Sequence, residues 1–192
     1  LGLLSDSGLR RIEVTSFVRP DVIPQLADAA EVLSGLEPRD GVAYSVLIPN
    51  RKGLDNALEQ RDRFQEANFF LSASETHNRK NVKRTIAESL DGLEDTIGAG
   101  REAGLRCEGV ISTSFGCPYE GEVPVDRVFE IASKLVAFGC EEVGFGDTTG
   151  MANPRQVVMQ RRSAVLSNVL IAAGGVTYDA DIEHVTIKNT LS

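Results

Sequence analysis

The sequence predicts an α/β protein that represents part of a (β/α)8 TIM barrel. Short apolar segments alternate with segments of helical periodicity at roughly thirty residues per pair, which is typical of parallel βα repeats. Polar residues follow each predicted strand, as they do at the active-site end of such barrels. The 192 residues are fewer than the roughly 250 of a complete barrel. We therefore expect one catalytic domain over residues 1–192 that contains an incomplete barrel.

The predicted elements are defined by hydrophobic periodicity and by helix start and stop signals. Asn153 and Pro154 are typical of a helix start, and Gly104 and Gly139 of helix ends. The sequence shows no low-complexity linker. The predicted strands are Arg11–Val14, Ala43–Leu47, Asn68–Leu71, Gly109–Ile111 and Glu142–Phe145, and the predicted helices are Pro20–Leu36, Gly53–Arg63, Asn78–Ala103, Pro124–Phe138 and Pro154–Leu166.

Polar residues at the carboxyl ends of five strands indicate an active site, since parallel strands place those ends at one edge. Asp147 is the acid among them, and an ordinary turn is the alternative interpretation. Glu13 lies within a strand, where we expect it to be buried and therefore paired or catalytic. The segments that follow the strands are Thr15–Phe17, Pro49–Asn50, Ser72–Glu75, Ser112–Ser114 and Asp147–Thr149.

The composition excludes several classes of function. A hydrophobic content of 42% with 25% charged residues is ordinary for a soluble domain, and no apolar run is long enough to span a membrane. The formal charge of −8 argues against a nucleic-acid partner. Arg79, Lys80, Lys83 and Arg84 form a basic cluster. We interpret it as a solvated helix face, with a site for the phosphates of a cofactor tail as the alternative.

The three cysteines form no metal-binding or disulfide pattern, which indicates a reducing compartment. We expect Cys107 and Cys140 to be buried apolar residues, whereas Cys117 lies in a loop where its reactivity merits a test. Leu1–Leu4 does not have the pattern of a signal peptide and is typical of a helix interior, so we expect the native N-terminus to lie upstream. We predict a cytoplasmic protein, or a mitochondrial matrix protein if a transit peptide precedes these residues.

Several sequence blocks, in family order from about residue 1 to 157, resemble the hydroxymethylglutaryl-CoA lyases. These enzymes belong to a wider group of metal-dependent TIM-barrel lyases and acyl-transfer synthases. Residues Gly116–Gly121, together with Thr15–Val18, match the lyases rather than the synthases. The other blocks are Ile12–Val14, Pro24–Gln25, Pro49–Asn50 with Lys52–Gly53, Ala73–Glu75 with Lys80–Asn81, and Gly146–Gly150.

This resemblance implies metal-assisted cleavage of 3-hydroxy-3-methylglutaryl-CoA to acetyl-CoA and acetoacetate, a reaction of leucine degradation and ketone body formation. It implies a divalent cation, Mg²⁺ or Mn²⁺, an acyl-CoA substrate and a homo-oligomer, dimeric or tetrameric. Glu13 and Asp147 would be catalytic residues that organise metal-bound water and proton transfer. Val110 stands where the family often has tyrosine. The implied substrate-binding residues are Gln25, Asn50, Ser74 and Thr148.

The sequence also departs from the family pattern, so we assign no metal ligand within it. The Arg-Asp-Gly turn expected after a first strand does not occur before Glu13, and we interpret Arg39-Asp40 as an ordinary turn. His77 and His184 are isolated rather than paired. Segments resembling later strands, Asn168–Ile171 and Gly175–Ala180, almost abut. We expect the first strand and parts of the C-terminal third to be missing.

Two alternatives stay open. A related aldolase or acyl-CoA synthase could use the same barrel, although the block at Gly116–Gly121 argues against it. A non-catalytic fragment or binding protein is the second alternative, because the sequence contains no identifiable set of metal ligands.

Overall fold

The computed structural model describes residues 1–157 and 169–170. The strands form a sheet in sequence order, β1 to β6, and β1–β2, β2–β3 and β5–β6 pair in parallel. Every predicted strand within the described residues is confirmed, whereas the predicted segment Gly175–Ala180 lies outside them. The strands are β1 (Arg11–Ser16), β2 (Ala43–Ile48), β3 (Glu66–Ser72), β4 (Arg106–Ser112), β5 (Glu142–Phe145) and β6 (Val169–Leu170).

Six helices lie between or before these strands in the described residues. None of them combines the length and apolar character needed to cross a membrane. Residues 154–157 are also helical, and the rest of the predicted helix Pro154–Leu166 lies outside the described part. The helices are α1 (Gly2–Ser5), α2 (Ala29–Ser34), α3 (Arg51–Leu58), α4 (Glu75–Val82), α5 (Ile86–Glu102) and α6 (Val125–Phe138).

Three predicted helices are interrupted. The segment Gly53–Arg63 forms α3 as far as Leu58 and then a separate 3₁₀ turn at Arg61–Arg63. The segment Pro20–Leu36 forms only a 3₁₀ turn at Pro24–Leu26 followed by α2, because proline cannot donate the hydrogen bond that a continuing helix needs. The segment Asn78–Ala103 is divided into α4 and α5 at Lys83, whose φ of 60° is left-handed. The predicted helix ends at Gly104 and Gly139 are confirmed, with φ of 75° and 109°.

The chain divides into two compact units. Unit 1 comprises Leu1–Phe70 and Asp91–Glu108, and unit 2 comprises Leu71–Leu90 and Gly109–Ser192. In unit 1, alternate strand residues point to opposite sides of the sheet. One face is apolar and fully buried, and its side chains include Tyr44, Val46, Ile48, Ala67 and Phe69.

The opposite face of β1, β2 and β3 in unit 1 is polar, and we call it the polar face. The strand register places Arg11, Glu13, Ser45, Glu66 and Asn68 on it. Such a face within a parallel sheet is unusual, since both faces of these sheets are commonly hydrophobic. It is expected only where the polar groups bond to one another or to a ligand.

An ion cluster occupies the amino-terminal end of the polar face. Glu66 is 2% exposed, and its carboxylate accepts hydrogen bonds from Arg11 Nε at 2.5 Å and Arg106 Nη1 at 3.0 Å. Arg11 also lies 3.4 Å from the carboxylate of Glu108. The cluster therefore connects residues of β1, β3 and β4 within unit 1, and it compensates a carboxylate that would otherwise be buried at high cost.

In unit 2, α6 packs against β5. Its buried residues Val128, Ile131, Ala132 and Leu135 recur at helical spacing and form one apolar stripe. Val143 and Phe145 of β5 are buried as well. This packing holds β5 in place, and Asp147 follows the end of that strand.

We expect Glu66→Gln to lower the free energy of unfolding of the full-length protein by about 2 kcal/mol. Breaking a fully buried ion pair costs about 3–5 kcal/mol, and the loss is smaller here because the arginines stay partly hydrated. Urea unfolding followed by circular dichroism measures it. Asp55→Asn removes the exposed pair with Arg51 and should cost less than about 0.5 kcal/mol. Equal losses in the two variants would contradict the structural role of the cluster.

Candidate functional site

Glu13 lies in β1 as predicted, but the expectation that its side chain is buried is wrong. The residue is exposed, whereas Ile12 beside it is 6% exposed. The reason is that β1 is an edge strand of the described sheet: Ile12 points into the apolar core, whereas Glu13 points to the polar face of a strand that has a described neighbour on one side only. The register between β1 and β2 also shifts between Glu13 and Thr15. The carboxylate is therefore accessible to a ligand while its strand is fixed by the core.

Asn68 of β3 holds this carboxylate. Its Nδ2 donates to Glu13 Oε2 at 2.6 Å and lies 3.3 Å from Ser45 Oγ. Asn68 and Ser45 are both buried. The three side chains come from three adjacent strands, so the position of the carboxylate is set by the sheet rather than by a loop. A carboxylate positioned in this way can accept a proton or direct a water molecule.

In unit 2, a chain of hydrogen bonds joins three strand ends. Ser74 N donates to Thr113 Oγ1 at 3.3 Å, and Thr113 N donates to Thr148 Oγ1 at 2.9 Å. Ser74 is also the N-cap of α4, since its Oγ accepts from His77 N at 3.1 Å. Ser74 is buried and Thr148 is exposed. These bonds give both residues a structural role, and their predicted contact with substrate stays a prediction.

Asp147 follows β5 and is half-buried. Its Oδ1 accepts from Met151 N at 2.8 Å and from Ala152 N at 3.1 Å. The aspartate therefore stabilises the turn after the strand, which was the alternative interpretation from the sequence. A catalytic role is compatible with this turn, because both bonds use the same carboxylate oxygen.

A second network surrounds the start of α4. Ser72 Oγ and His77 Nδ1 are 2.6 Å apart. Asn78 is fully buried, accepts from Ser72 N, and donates to Ser89 Oγ and to the carbonyls of Arg84 and Thr85. This amide holds the α4–α5 connection in place and explains where the predicted long helix is divided.

The segment Gly116–Gly121 forms a tight loop in unit 2, closed by a bridge between Cys117 and Gly121. Glu120 Oε1 accepts from Thr76 N at 2.5 Å in the first turn of α4, and Arg127 lies 3.5 Å from its other oxygen. Burial alone would raise the pKa of Glu120, but the hydrogen bonds from Thr76 and Ser74 and the charge of Arg127 together lower this pKa. The loop is thereby anchored to the helix.

Cys117 and Tyr119 belong to this loop. Cys117 was considered for its reactivity from the sequence, and Tyr119 is the exposed aromatic residue of the loop. Cys117 is buried, and its Sγ accepts from Tyr119 N at 3.4 Å, so the thiol is not accessible for the reactivity considered for it. Tyr119 is 53% exposed, and Lys80 Nζ lies 3.8 Å from the centre of its ring. Cys107 and Cys140 are buried as expected.

The remaining predicted residues have simple surroundings. Asn50 is the N-cap of α3 and its side chain accepts from Gly53 N. Gln25 is exposed in the 3₁₀ turn. Arg39 pairs with Asp6 and Glu37, chiefly through hydrogen bonds that raise its pKa, as expected of an ordinary surface turn. The basic cluster at the end of α4 is exposed, as predicted for a solvated helix face, and Arg79 pairs with Glu75.

Across residues 1–157 and 169–170, no group of three or more histidine, cysteine, aspartate or glutamate side chains is arranged to hold a metal ion. The described residues provide a carboxylate held by an amide on the polar face and, separately, a network of hydroxyl groups and carboxylates in unit 2.

Sequence reasoning did not identify Ser45 and Asn68 as site residues, because both lie within runs that were interpreted as apolar strands. A signal was present: Glu66 and Asn68 are two residues apart, and a spacing of two places both side chains on one face of a strand. Polar residues at alternate positions in several strands of one sheet predict such a polar face.

The comparisons with known proteins agree on one family. The HMGL-like family model matches residues 1–173. The chain is 47% identical over 154 residues to hydroxymethylglutaryl-CoA lyase of Bacillus subtilis, covering 80% of this chain and 51% of that protein. It is 40% identical over 173 residues to the mitochondrial hydroxymethylglutaryl-CoA lyase of Rattus norvegicus, covering 90% and 52%. The chain thus spans about half the length of these relatives.

Solved structures agree. The crystal structure of the Bacillus subtilis HMG-CoA lyase matches with a TM-score of 0.80 at 46% identity, covering 83% of this chain and 53% of that one. An HMG-CoA lyase from Acinetobacter baumannii, in complex with coenzyme A and 3-methylmalate, matches with a TM-score of 0.77 at 39% identity, covering 82% and 50%. These matches confirm the predicted fold class, a (β/α)8 barrel represented in part. The chain belongs to the HMGL-like family.

Proposed function

We propose that the full-length protein is a lyase that cleaves 3-hydroxy-3-methylglutaryl-CoA to acetyl-CoA and acetoacetate. The observation that carries the proposal is the Glu13 carboxylate, held by Asn68 on the polar face, in a chain 47% identical to a hydroxymethylglutaryl-CoA lyase. The relative bound to coenzyme A supports an acyl-CoA as the substrate class.

The reaction breaks one carbon–carbon bond and needs proton transfers at two positions. The tertiary hydroxyl loses its proton as its carbon becomes the ketone of acetoacetate. The electron pair of the broken bond passes to the thioester fragment as an enolate, which takes up a proton to give acetyl-CoA. Glu13 is accessible and fixed, so we assign it to the proton-transfer network at the hydroxyl side. Asp147 is assigned a supporting role through the turn that it holds.

A divalent cation, Mg²⁺ or Mn²⁺, is part of the proposal because of the family resemblance. When bound, such an ion would stabilise the negative charge that develops on oxygen. Because His77 and His184 are isolated and no Arg-Asp-Gly turn precedes Glu13, its ligands are expected elsewhere in the full-length protein. The roles assigned to Glu13 and Asp147 therefore involve only their own hydrogen bonds.

Substrate contacts are assigned to residues in the segments between the strands and the helices that follow them. The exposed side chains of Gln25 and Thr148 are available to an acyl-CoA, whereas Asn50 and Ser74 already cap helices and would contribute their remaining hydrogen-bonding capacity. We further propose a cytoplasmic homo-oligomer, dimeric or tetrameric, that acts in leucine degradation and ketone body formation.

Turnover of the full-length protein tests this function. Incubation with 3-hydroxy-3-methylglutaryl-CoA and Mg²⁺ should release acetyl-CoA and acetoacetate in equal amounts, measured by liquid chromatography, and chelation should abolish the release. Condensation of acyl-CoA substrates without cleavage would favour the synthase alternative. No turnover of either kind would favour a binding protein, which the absence of a metal cluster among the described residues keeps as the second candidate.

Glu13→Gln is expected to lower kcat by about 100-fold or more, because the amide cannot take part in proton transfer. Steady-state kinetics of the full-length protein give the value. Glu59→Gln changes an exposed glutamate at the end of α3 and should leave kcat unchanged. If Glu13→Gln retains the activity of the wild type, the catalytic assignment of this residue is wrong.

Asp147→Asn tests whether the carboxylate of Asp147 supports the reaction in addition to forming the turn. The amide oxygen of asparagine can still accept from Met151 N and Ala152 N, so thermal unfolding should stay close to that of the wild type. If the carboxylate charge supports the reaction, kcat falls by about 10-fold or more. Unchanged kcat with unchanged stability would show that Asp147 only forms the turn.

A further inference from the structure

Asn68 is a buried amide in the middle of the polar face. It lies in β3, two residues after Glu66, and is 7% exposed. Its Nδ2 donates to Glu13 Oε2 at 2.6 Å and to Ser45 Oγ at 3.3 Å. The core on the other side of β3, which includes the fully buried Phe69, fixes the backbone from which this side chain extends. The amide is therefore held rigidly at the carboxylate.

The neighbouring carboxylate decides how this amide is oriented. An ionised carboxylate can only accept hydrogen bonds, so the NH₂ group of Asn68 must face Glu13. This orientation places Oδ1 on the other side of the amide. Oδ1 is buried, and it has no hydrogen-bond partner among the residues that the structure describes. Buried carbonyl oxygens are almost always paired in folded proteins, so Oδ1 lacks the partner that its burial requires.

We propose that Asn68 is a positioning residue for the lyase reaction. Its amide N–H holds the Glu13 carboxylate in one orientation, and its Oδ1 accepts a hydrogen bond from an O–H group of the bound acyl substrate or of a water molecule that accompanies it. This inference rests on the proposed function, since it assigns Asn68 a role at the same carboxylate. The proposal adds to the site an uncharged residue, Asn68, that acts through Glu13.

The charge balance of the face favours this role over a purely structural one. The ion cluster of Glu66, Arg11 and Arg106 already compensates the carboxylates at the amino-terminal end. Glu13 is exposed and does not need an amide partner to stay hydrated. A buried amide directed at an exposed carboxylate thus has its main effect on the orientation of that carboxylate.

A double-mutant cycle in the full-length protein tests the positioning role. Asn68→Ala should lower kcat by about 10-fold or more, the usual size of the effect when a group that orients a functional residue is removed. In the Glu13→Gln background, the same change should lower kcat by less than about 2-fold, because the carboxylate to be oriented is gone. Equal effects in both backgrounds would overturn the proposal.

Folding must be separated from positioning. Asn68→Leu keeps the branched shape of the side chain and removes its hydrogen bonds, so the cycle is repeated with it if Asn68→Ala unfolds. Thr96→Val serves as the matched control, since Thr96 is buried in the same unit and donates to Gly92 within α5. That variant should leave kcat within about 2-fold of the wild type. A loss of kcat in Thr96→Val equal to that in the Asn68 variants would assign the effect to stability and overturn the proposal.

A ligand pair identifies the donor to Oδ1. Binding of 3-methylglutaryl-CoA, which lacks the hydroxyl, is compared with binding of 3-hydroxy-3-methylglutaryl-CoA to the chelator-treated full-length protein with and without Asn68→Ala, so that Glu13 keeps its carboxylate while turnover is prevented. Weaker binding of the hydroxylated ligand alone assigns the donor to the substrate, and equal weakening of both assigns it to water. Unchanged affinity for both would overturn the role of Oδ1. Wild-type protein without lyase turnover would reject the proposed function itself, whereas an active wild type with additive effects would reject only the role of Asn68.

Discussion

The requirement that carboxylates in a sheet be paired or hydrogen-bonded governs unit 1. Strand alternation places an apolar face against the core, and it thereby commits Glu13 and Glu66 to the opposite face. Glu66 is buried and held between two arginines, while Glu13 is exposed and held by an amide. The difference in partner gives the two acids different properties. The two arginines neutralise the charge of Glu66, whereas Glu13 keeps an accessible carboxylate.

In unit 2, the corresponding requirement is met at helix starts and loop ends. Ser74 caps α4, Glu120 accepts from the first turn of the same helix, and Asp147 accepts from two amides of its own turn. These groups satisfy backbone donors that a helix or turn leaves unpaired. Ser74 and Asp147, which the family resemblance connects with substrate binding and catalysis, therefore also build the local structure.

The strands and the polar loops could be predicted because each depends on local sequence. Apolar, β-branched runs correctly predicted the strands β1 to β5, and Gly104 and Gly139 marked helix ends. Other features depend on contacts distant in sequence. The break after α4 depends on Asn78 bonding to carbonyls beyond the helix, and the exposure of Glu13 depends on the position of β1 at the edge of the described sheet. Asn68 was missed because the run was interpreted as apolar from Asn68 onward, so that its spacing of two residues from Glu66 was not considered.

The central claim is that the acyl group reacts beside Glu13 on the polar face. A crystal structure of the full-length protein with Mg²⁺ and 3-methylglutaryl-CoA, an unreactive analogue, tests it most directly. The account predicts electron density for the acyl group within hydrogen-bonding or single-water distance of the Glu13 carboxylate, with Asn68 still bonded to that carboxylate. Density for the acyl group at another surface, with the polar face occupied only by water, would contradict the account.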